Sequence, residues 1–188
     1  MARVAPLPLD SLSDPLRASI AQGTATRMLS NTLPVQIWAR RPAAANAWLG
    51  VMAEIHERGV LPERLRELVR LKIASITACP VCQIARKSDD VSEADIVACS
   101  DWSDPRFSPP EQAALRFAEL FAGDYFSMGD EVYHHLREHF SEEQIVELHL
   151  FSGLMLAGGR MTYVLKGYED TGSGDAGSGD TGSGDTAA

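Results

Sequence analysis

The sequence has no long apolar run and few cysteines. No segment approaches the roughly 18 uncharged apolar residues that span a bilayer, and residues 1–8 contain no apolar stretch of signal-peptide length. Three cysteines in 188 residues are few, and odd in number, which argues against the disulfide framework of a secreted protein. These absences predict a cytoplasmic protein without a membrane segment.

Positive charge is also scarce. The chain has 17 Lys and Arg residues against 26 Asp and Glu residues, and its net charge is -9. Such a chain repels nucleic acid and anionic membranes, because both carry the same sign of charge. We therefore expect neither nucleic acid nor a membrane as a partner.

No segment alternates apolar and β-branched residues with the period of a strand, so the sequence predicts an all-α fold of about eight helices. Three helix starts carry a serine followed three residues later by an acceptor side chain, at Ser92, Ser108 and Ser141. The predicted helices cover residues 14–29, 42–58, 62–78, 80–88, 92–99, 109–123, 128–139 and 141–166.

The C-terminal segment has a different composition. Residues 171–185 contain TGSGD, AGSGD and TGSGD in succession, without a large apolar residue. Such a segment buries too little surface to offset its ordering entropy. We predict an all-helical domain over residues 1–169 and a disordered acidic tail over residues 170–188. The tail is expected to aid solubility, and docking of a partner is the alternative.

A pair of cysteines, Cys79 and Cys82, follows a predicted buried helix in the order Cys-Pro-Val-Cys. Pro80 disfavours the helical conformation at Cys79 and suits the first helical position, so Cys79 is expected at an N-cap and Cys82 at the third helical position. The free N–H groups there favour a thiolate. A redox dithiol competes with two alternatives, a zinc site completed by Cys99 and histidines, and two inert buried thiols.

A carboxylate precedes this pair on the predicted buried helix. Glu67 shares a helical stripe with Leu71 and Ala74, which is an unusual place for a charged group. Burial tends to raise the pKa of a carboxyl group, which could then pass a proton near neutral pH. The alternative is a buried ion pair, with Arg70 or Arg86 as partner.

Together these residues resemble the carboxymuconolactone decarboxylase superfamily, and within it the alkylhydroperoxidase D-like branch. Glu67 lies twelve residues before the Cys-x-x-Cys pair, as in that branch. The resemblance extends over about residues 30–166. Its other parts are residues 41–49, residues 61–68, residues 136–148 and Arg160.

The resemblance implies an all-helical homo-oligomer, a trimer or a multiple of one, with thiol-dependent peroxide reductase activity. Cys82 would attack the peroxide, Cys79 would resolve the sulfenic acid as a disulfide, and Glu67 would begin a proton relay. A dithiol donor of the lipoamide or thioredoxin type would regenerate the pair, and no bound cofactor or metal is expected. The N-cap argument, in contrast, gives the lower thiol pKa to Cys79.

One residue departs from the branch pattern, which has a histidine four residues after the second cysteine. Here that residue is Arg86, which cannot shuttle protons but can stabilise a thiolate or pair with Glu67. His149 could replace the missing histidine, although a satisfied core histidine is the preferred interpretation. The alternatives to a peroxide reductase are a lactone decarboxylase, which would not need the cysteine pair, and a non-enzymatic redox sensor.

Overall fold

Helices make up most of the chain, with short connections between them. The computed structural model describes residues 1–168, and only the backbone of Pro80 and Val81. Over these residues there are nine α-helices, two short 3-10 turns and no strand, in agreement with the predicted all-α class. The helices are α1 (Asp14–Ala25), α2 (Leu33–Trp38), α3 (Pro42–Arg58), α4 (Glu63–Ile76), α5 (Pro80–Ile84), α6 (Glu93–Ala98), α7 (Pro109–Gly123), α8 (Asp130–Arg137) and α9 (Glu142–Leu165).

The fold is organised around α4, which is buried on nearly every side. All residues from Glu67 to Ala74 are buried. One side of the helix packs on α7 and α9, where Val69, Ile73 and Phe117 belong to the main apolar core. A second core forms among α1, α2 and α3, in the N-terminal part of the chain. The segment after α4, which carries the cysteines, thus starts from a rigid, buried support.

Local signals located most helix starts correctly. The capping boxes at Ser92, Ser108 and Ser141 all form, and α3 and α7 have the predicted bounds. The sequence analysis missed α2, which has an apolar composition. Its start is marked by Asn31, whose side-chain oxygen accepts a hydrogen bond of 2.8 Å from the Leu33 backbone N–H.

The helix that carries Cys82, α5, is shorter than predicted, because it ends at Ile84 and not at residue 88. Continuation of the helix would require the Lys87 N–H to donate to the Gln83 carbonyl group. The Lys87 N–H donates instead to Glu67 Oε1, at 3.0 Å, and the Gln83 carbonyl accepts from Arg86 Nη1, at 2.7 Å. Side chains therefore replace the helical hydrogen bonds after one turn.

The last helix, α9, has an apolar face that the described chain leaves uncovered. On this face Val146 and Leu150 are more than half exposed. Over the described residues no helix is long and apolar enough to cross a membrane. The predicted disordered tail, residues 170–188, lies outside the described residues.

Candidate redox site at Cys79 and Cys82

The turn between α4 and α5 places the two cysteines. After α4 ends, Ala78 takes a left-handed conformation with φ of 50°, which is uncommon for a residue with a side chain. This reverses the chain so that the Cys79 carbonyl accepts the first hydrogen bond of α5 from the Gln83 N–H, at 3.0 Å. Cys79 thus occupies the predicted N-cap and Cys82 the third helical position. Since α5 is only one turn long, its contribution to thiolate stability is smaller than the sequence analysis assumed.

Cys79 and Cys82 are joined in a disulfide, with their Cα atoms 5.3 Å apart. The two sulfur-bearing residues differ in access. Cys79 is fully buried, whereas Cys82 is partly exposed and lines a cavity. A molecule in this cavity can therefore reach the Cys82 side of the disulfide, while Cys79 is available only to its partner sulfur.

Glu67 forms a buried ion pair with Arg70. Arg70 Nε donates to Glu67 Oε2 at 2.6 Å and Arg70 Nη2 to Oε1 at 2.7 Å, and both side chains are almost completely buried. The same guanidinium donates to the backbone carbonyl groups of Cys82 and Ala85. Arg70 therefore connects the Glu67 carboxylate to the helix that carries Cys82, and the ion-pair alternative of the sequence analysis is confirmed with Arg70 as the partner.

Arg86 is placed differently from the expectation. Its guanidinium pairs with Glu93, with Nε and Nη2 at 2.7 and 2.9 Å from the carboxylate oxygens, and it is exposed at the surface. It does not pair with Glu67, because the chain leaves the helix at Ile84 and Arg70 already occupies both Glu67 oxygens. The predicted pairing of Arg86 with Glu67 is therefore wrong. Arg86 is also absent from the residues that line the Cys82 cavity.

The cavity next to Cys82 is largely apolar and encloses about 760 Å³, including its opening to solvent. It lies between the α1–α2 connection, α2, α3, α4, α5 with the residues that follow it, and α9. Its polar contributors include Thr77, Lys87 and Arg70. Apolar and aromatic side chains form the rest of the wall, chiefly Met28, Leu29, Val35, Trp38, Trp48, Met52, Leu154 and Met155.

A second cavity, of about 500 Å³, adjoins the first, and Glu67 lines this one and not the first. Arg70 and Lys87 line both cavities and so form part of the boundary between them. His56 lies in the wall of the second cavity and contacts the Thr26 carbonyl through Nε2, at 2.8 Å. Glu67 and Cys82 therefore face different spaces, with Arg70 between them.

The sequence analysis missed Lys87 and His56. Lys87 enters the site only because α5 ends early, and no local pattern in the sequence indicates this. His56 could have been found, because it stands four residues after Met52 on the inward face of α3. The pKa of Lys87 is lowered to about 8, mainly by burial and then by the nearby Arg70 charge, against which Glu67 acts.

His149 and Cys99 lie away from both cavities. His149 Nε2 is 3.0 Å from the Tyr133 hydroxyl, its Nδ1 is 2.7 Å from the Ile145 carbonyl oxygen, and its ring packs on Phe117. This agrees with a satisfied core histidine and gives it no position beside the cysteine pair. Cys99 is buried in a separate apolar cluster, where burial raises its pKa to about 11.

A cluster that could hold a metal ion occurs elsewhere in the described residues. Ligand atoms of His135, Glu138 and His139 lie within 4.8 Å of one another at the end of α8. His135 and Glu138 are exposed, and their atoms are 3.1 Å apart, as in an ordinary surface pair. At the cysteine pair the disulfide occupies both sulfurs, which does not fit a zinc site.

Comparison with known proteins supports the family resemblance that the sequence indicated. The sequence pattern of the carboxymuconolactone decarboxylase family matches residues 42–120. The uncharacterized protein YdfG of Bacillus subtilis (strain 168) is 30% identical over 106 residues, which are 53% of this chain and 72% of YdfG.

Solved structures of two proteins are similar over nearly the whole chain. A peroxidase-related protein from Ralstonia eutropha JMP134, with an alkylhydroperoxidase AhpD core, superposes with a TM-score of 0.69 at 18% identity, covering 90% of this chain and 93% of that one. Debrominase Bmp8 gives a TM-score of 0.72 at 17% identity, covering 90% and 92%. A cysteine-to-alanine variant of Bmp8 with bound 2,3,4-tribromopyrrole superposes equally well, with a TM-score of 0.73 at 17% identity and coverage of 88% and 90%.

The fold and the site define an all-helical protein with a disulfide-forming cysteine pair beside an apolar cavity. The chain belongs to the carboxymuconolactone decarboxylase family. Its fold is that of AhpD-like proteins.

Proposed function

We propose that this protein is a thiol-dependent peroxide reductase that cycles between a dithiol and the Cys79–Cys82 disulfide. The observation that carries the proposal is the unequal access to the two cysteines. Cys82 lines a cavity that can admit a substrate, and the buried Cys79 is within disulfide distance of it. An attacking sulfur needs substrate access, whereas a resolving sulfur needs only to reach its partner, so the geometry favours Cys82 as the nucleophile.

In the proposed cycle, the Cys82 thiolate attacks one oxygen of the peroxide ROOH. The O–O bond breaks, Cys82 becomes a sulfenic acid, and RO⁻ takes up a proton and leaves as ROH. The Cys79 thiol then attacks the Cys82 sulfur, which forms the disulfide and releases water. An external dithiol, of the lipoamide or thioredoxin type, reduces the disulfide and is itself oxidised to a disulfide.

Within this cycle, Glu67 and Arg70 serve as positioning residues. Glu67 accepts hydrogen bonds from two Arg70 nitrogens and from the Lys87 backbone N–H, which leaves the carboxylate poorly placed to take a proton from Cys82. Arg70 in turn holds the Cys82 carbonyl. The Lys87 ammonium group lines the Cys82 cavity and favours a thiolate there by Coulomb attraction.

The exposed apolar face of α9 supports a homo-oligomer. Val146, Leu150 and Val164 are each more than half exposed on one helix, and Gly153 leaves space on it for another backbone. A second copy of the chain that covers this face would remove a patch that monomeric proteins usually bury. Light scattering of the wild type and of Leu150→Glu tests this, since the variant should shift towards the monomer.

The peroxidase proposal is tested by consumption of hydrogen peroxide, cumene hydroperoxide and a fatty-acid hydroperoxide with dihydrolipoamide or reduced thioredoxin as donor. Cys82→Ser should lose turnover, whereas Cys79→Ser should stop after one equivalent and leave a sulfenic acid on Cys82 that dimedone labels. Cys99→Ser is the matched control, because it removes a buried thiol outside the site and should keep turnover. A wild type no faster than Cys82→Ser with either donor would refute the proposal.

An aryl bromide is the alternative electron acceptor, because the cavity wall contains aromatic side chains and a structure of a debrominase Bmp8 variant contains a brominated pyrrole. The same dithiol could reduce an aryl bromide, with the C–Br bond replaced by C–H, bromide released, and the cysteine pair oxidised to the disulfide. Release of bromide from a bromopyrrole that requires Cys82, without peroxide turnover, would favour this alternative.

A further inference from the structure

The cavity beside Cys82 combines an apolar wall with positive charge. Of the charged residues of the described chain, only Arg70 and Lys87 line it, and no carboxylate does. An apolar space with a cation at its edge and no anion in its wall favours a ligand of the opposite charge.

The two cations are not equivalent. Arg70 is neutralised by Glu67, and its remaining contacts go to the carbonyl groups of Cys82 and Ala85. The Lys87 ammonium group contacts only backbone carbonyl oxygens, those of Met28 and Arg27, and forms no salt bridge within the described residues. Lys87 therefore supplies the uncompensated charge of this cavity.

The aromatic part of the cavity wall suits a ring. Trp38 and Trp48 meet edge to face, with their ring centres 6.1 Å apart, and both line the cavity together with Met52 and Met155. The indole N–H of Trp38 is buried and has no hydrogen-bond acceptor in the part of the chain that the structure describes. Flat aromatic walls and flexible methionine side chains accommodate ring-shaped apolar ligands.

We propose that this cavity selects substrates with an apolar ring or chain and a single acidic group, which Lys87 binds as a carboxylate or phenolate while the apolar part packs between Trp38, Trp48 and Met52. This inference rests on the proposed function, because it names the substrate class for the same Cys82 site. A small uncharged peroxide should accordingly be a poorer substrate than an acidic apolar one.

Binding should depend on pH with a defined sign. Burial lowers the pKa of Lys87 to about 8, so the ammonium charge is present at pH 7 and is lost as the pH rises above that value. The charged and titratable groups around it are Arg70 and Glu67 on α4 and, in the adjoining cavity, Glu63 and Arg66 of α4 and His56 of α3. Affinity for the anion should fall between about pH 7 and 9.

The test measures binding to the oxidised wild-type protein, so that no turnover is involved. The probes are 4-bromobenzoate and its neutral isostere 4-bromobenzamide, whose bromine quenches tryptophan fluorescence at Trp38 and Trp48. The third tryptophan, Trp102, packs under Arg116 and provides a constant background. A charge-assisted hydrogen bond to Lys87 should make the benzoate bind roughly ten- to a hundredfold more tightly than the amide.

Substitutions at Lys87 separate charge from packing. Lys87→Met should abolish the preference for benzoate, Lys87→Arg should retain most of it, and Lys166→Met, a change at an exposed lysine outside the cavity, should leave it unchanged. Equal affinity of benzoate and benzamide for the wild type would overturn the proposal, as would a preference that survives in Lys87→Met. Because these assays contain no peroxide, a failure of the peroxidase proposal leaves their outcome readable, and the reverse also holds.

Discussion

The buried pair of Glu67 and Arg70 gives the sharpest prediction about this fold. Substitution of Arg70 by Met removes the cation and leaves the Glu67 carboxylate buried without its partner. It also leaves the carbonyl group of Cys82 without its side-chain donor, whereas the Ala85 carbonyl keeps a hydrogen bond of 3.1 Å from Arg86 Nη1. The variant should therefore be destabilised and should hold the cysteine-bearing segment less firmly.

The magnitude follows from the burial of the pair, whose side chains are 4% and 2% exposed. Removal of one partner from such a pair costs about 3–5 kcal/mol, and the Cys82 carbonyl group adds about 1 kcal/mol. Glu67→Leu should cost about 3–5 kcal/mol as well, because it leaves the Arg70 charge unpaired and removes the acceptor of the Lys87 N–H. The double variant leaves no unpaired charge, so it should lose only about 2 kcal/mol, for the Cys82 carbonyl group and the Lys87 N–H, which both lose their partners.

Urea unfolding of the oxidised proteins, followed by circular dichroism, measures the four free energies of the cycle. Arg17→Met is the control, because Arg17 pairs with Asp14 at the exposed surface, and its unfolding midpoint should stay at the wild-type value. We expect Arg70→Met to be less stable than the double variant, even to the point that only the double variant folds. The reasoning would be refuted if the stability losses of the two single variants added up to the loss of the double variant. It would also be refuted if Arg70→Met lowered the free energy of unfolding by less than about 1 kcal/mol.

Two further predictions concern the surroundings of the site. Gly159→Ala should destabilise the protein by about 1–3 kcal/mol in thermal unfolding, because a Cβ atom there would lie 2.9 Å from the Thr77 hydroxyl oxygen. Gly50→Ala in α3 is the control, because its Cβ atom would meet nothing within 4 Å, and it should be neutral or stabilising by up to about 1 kcal/mol. Burial acts to raise the pKa of Asp95, but the hydrogen bonds from Arg64 and from the backbone and side chain of Ser92 together outweigh it and lower that pKa to about 2. Its charge therefore contributes stability above pH 4 that is lost as the pH falls towards 2, and Asp95→Asn should remove about 1–2 kcal/mol of this pH dependence; equal acid sensitivity in both proteins would contradict the assignment.

The sequence predicted correctly those structural features that depend on residues close together in the chain. The capping boxes, the bounds of α3 and α7 and the N-cap position of Cys79 follow from signals within a few residues, and the structure confirms them. Arg70 was one of two proposed partners for Glu67, and its spacing of three residues on one helix is the spacing at which side chains meet. Contacts between residues within one helical turn could therefore be predicted from the sequence.

The errors arise where distant segments compete for the same hydrogen bonds. The sequence favours continuation of α5, but Glu67 and Arg70 take the backbone groups that the next turn would need. This competition ends the helix, turns Arg86 towards Glu93 and brings Lys87 into the cavity wall. None of these outcomes can be derived without knowledge that α4 lies beside the segment after Cys82.

The location of the cavity wall also explains why the chemistry is easier to infer than the substrate. The matched family pattern covers residues 42–120 and includes Glu67, Arg70 and both cysteines. Much of the wall comes from outside that range, from residues between Met28 and Trp38, which precede it in the sequence, and between Leu154 and Thr162, which follow it. The flanking helices can therefore set the shape of the cavity independently of the segment that carries the cysteine pair. Selectivity in this protein should accordingly change with substitutions at Trp38 and Met155, while the cysteine chemistry stays with α4 and α5.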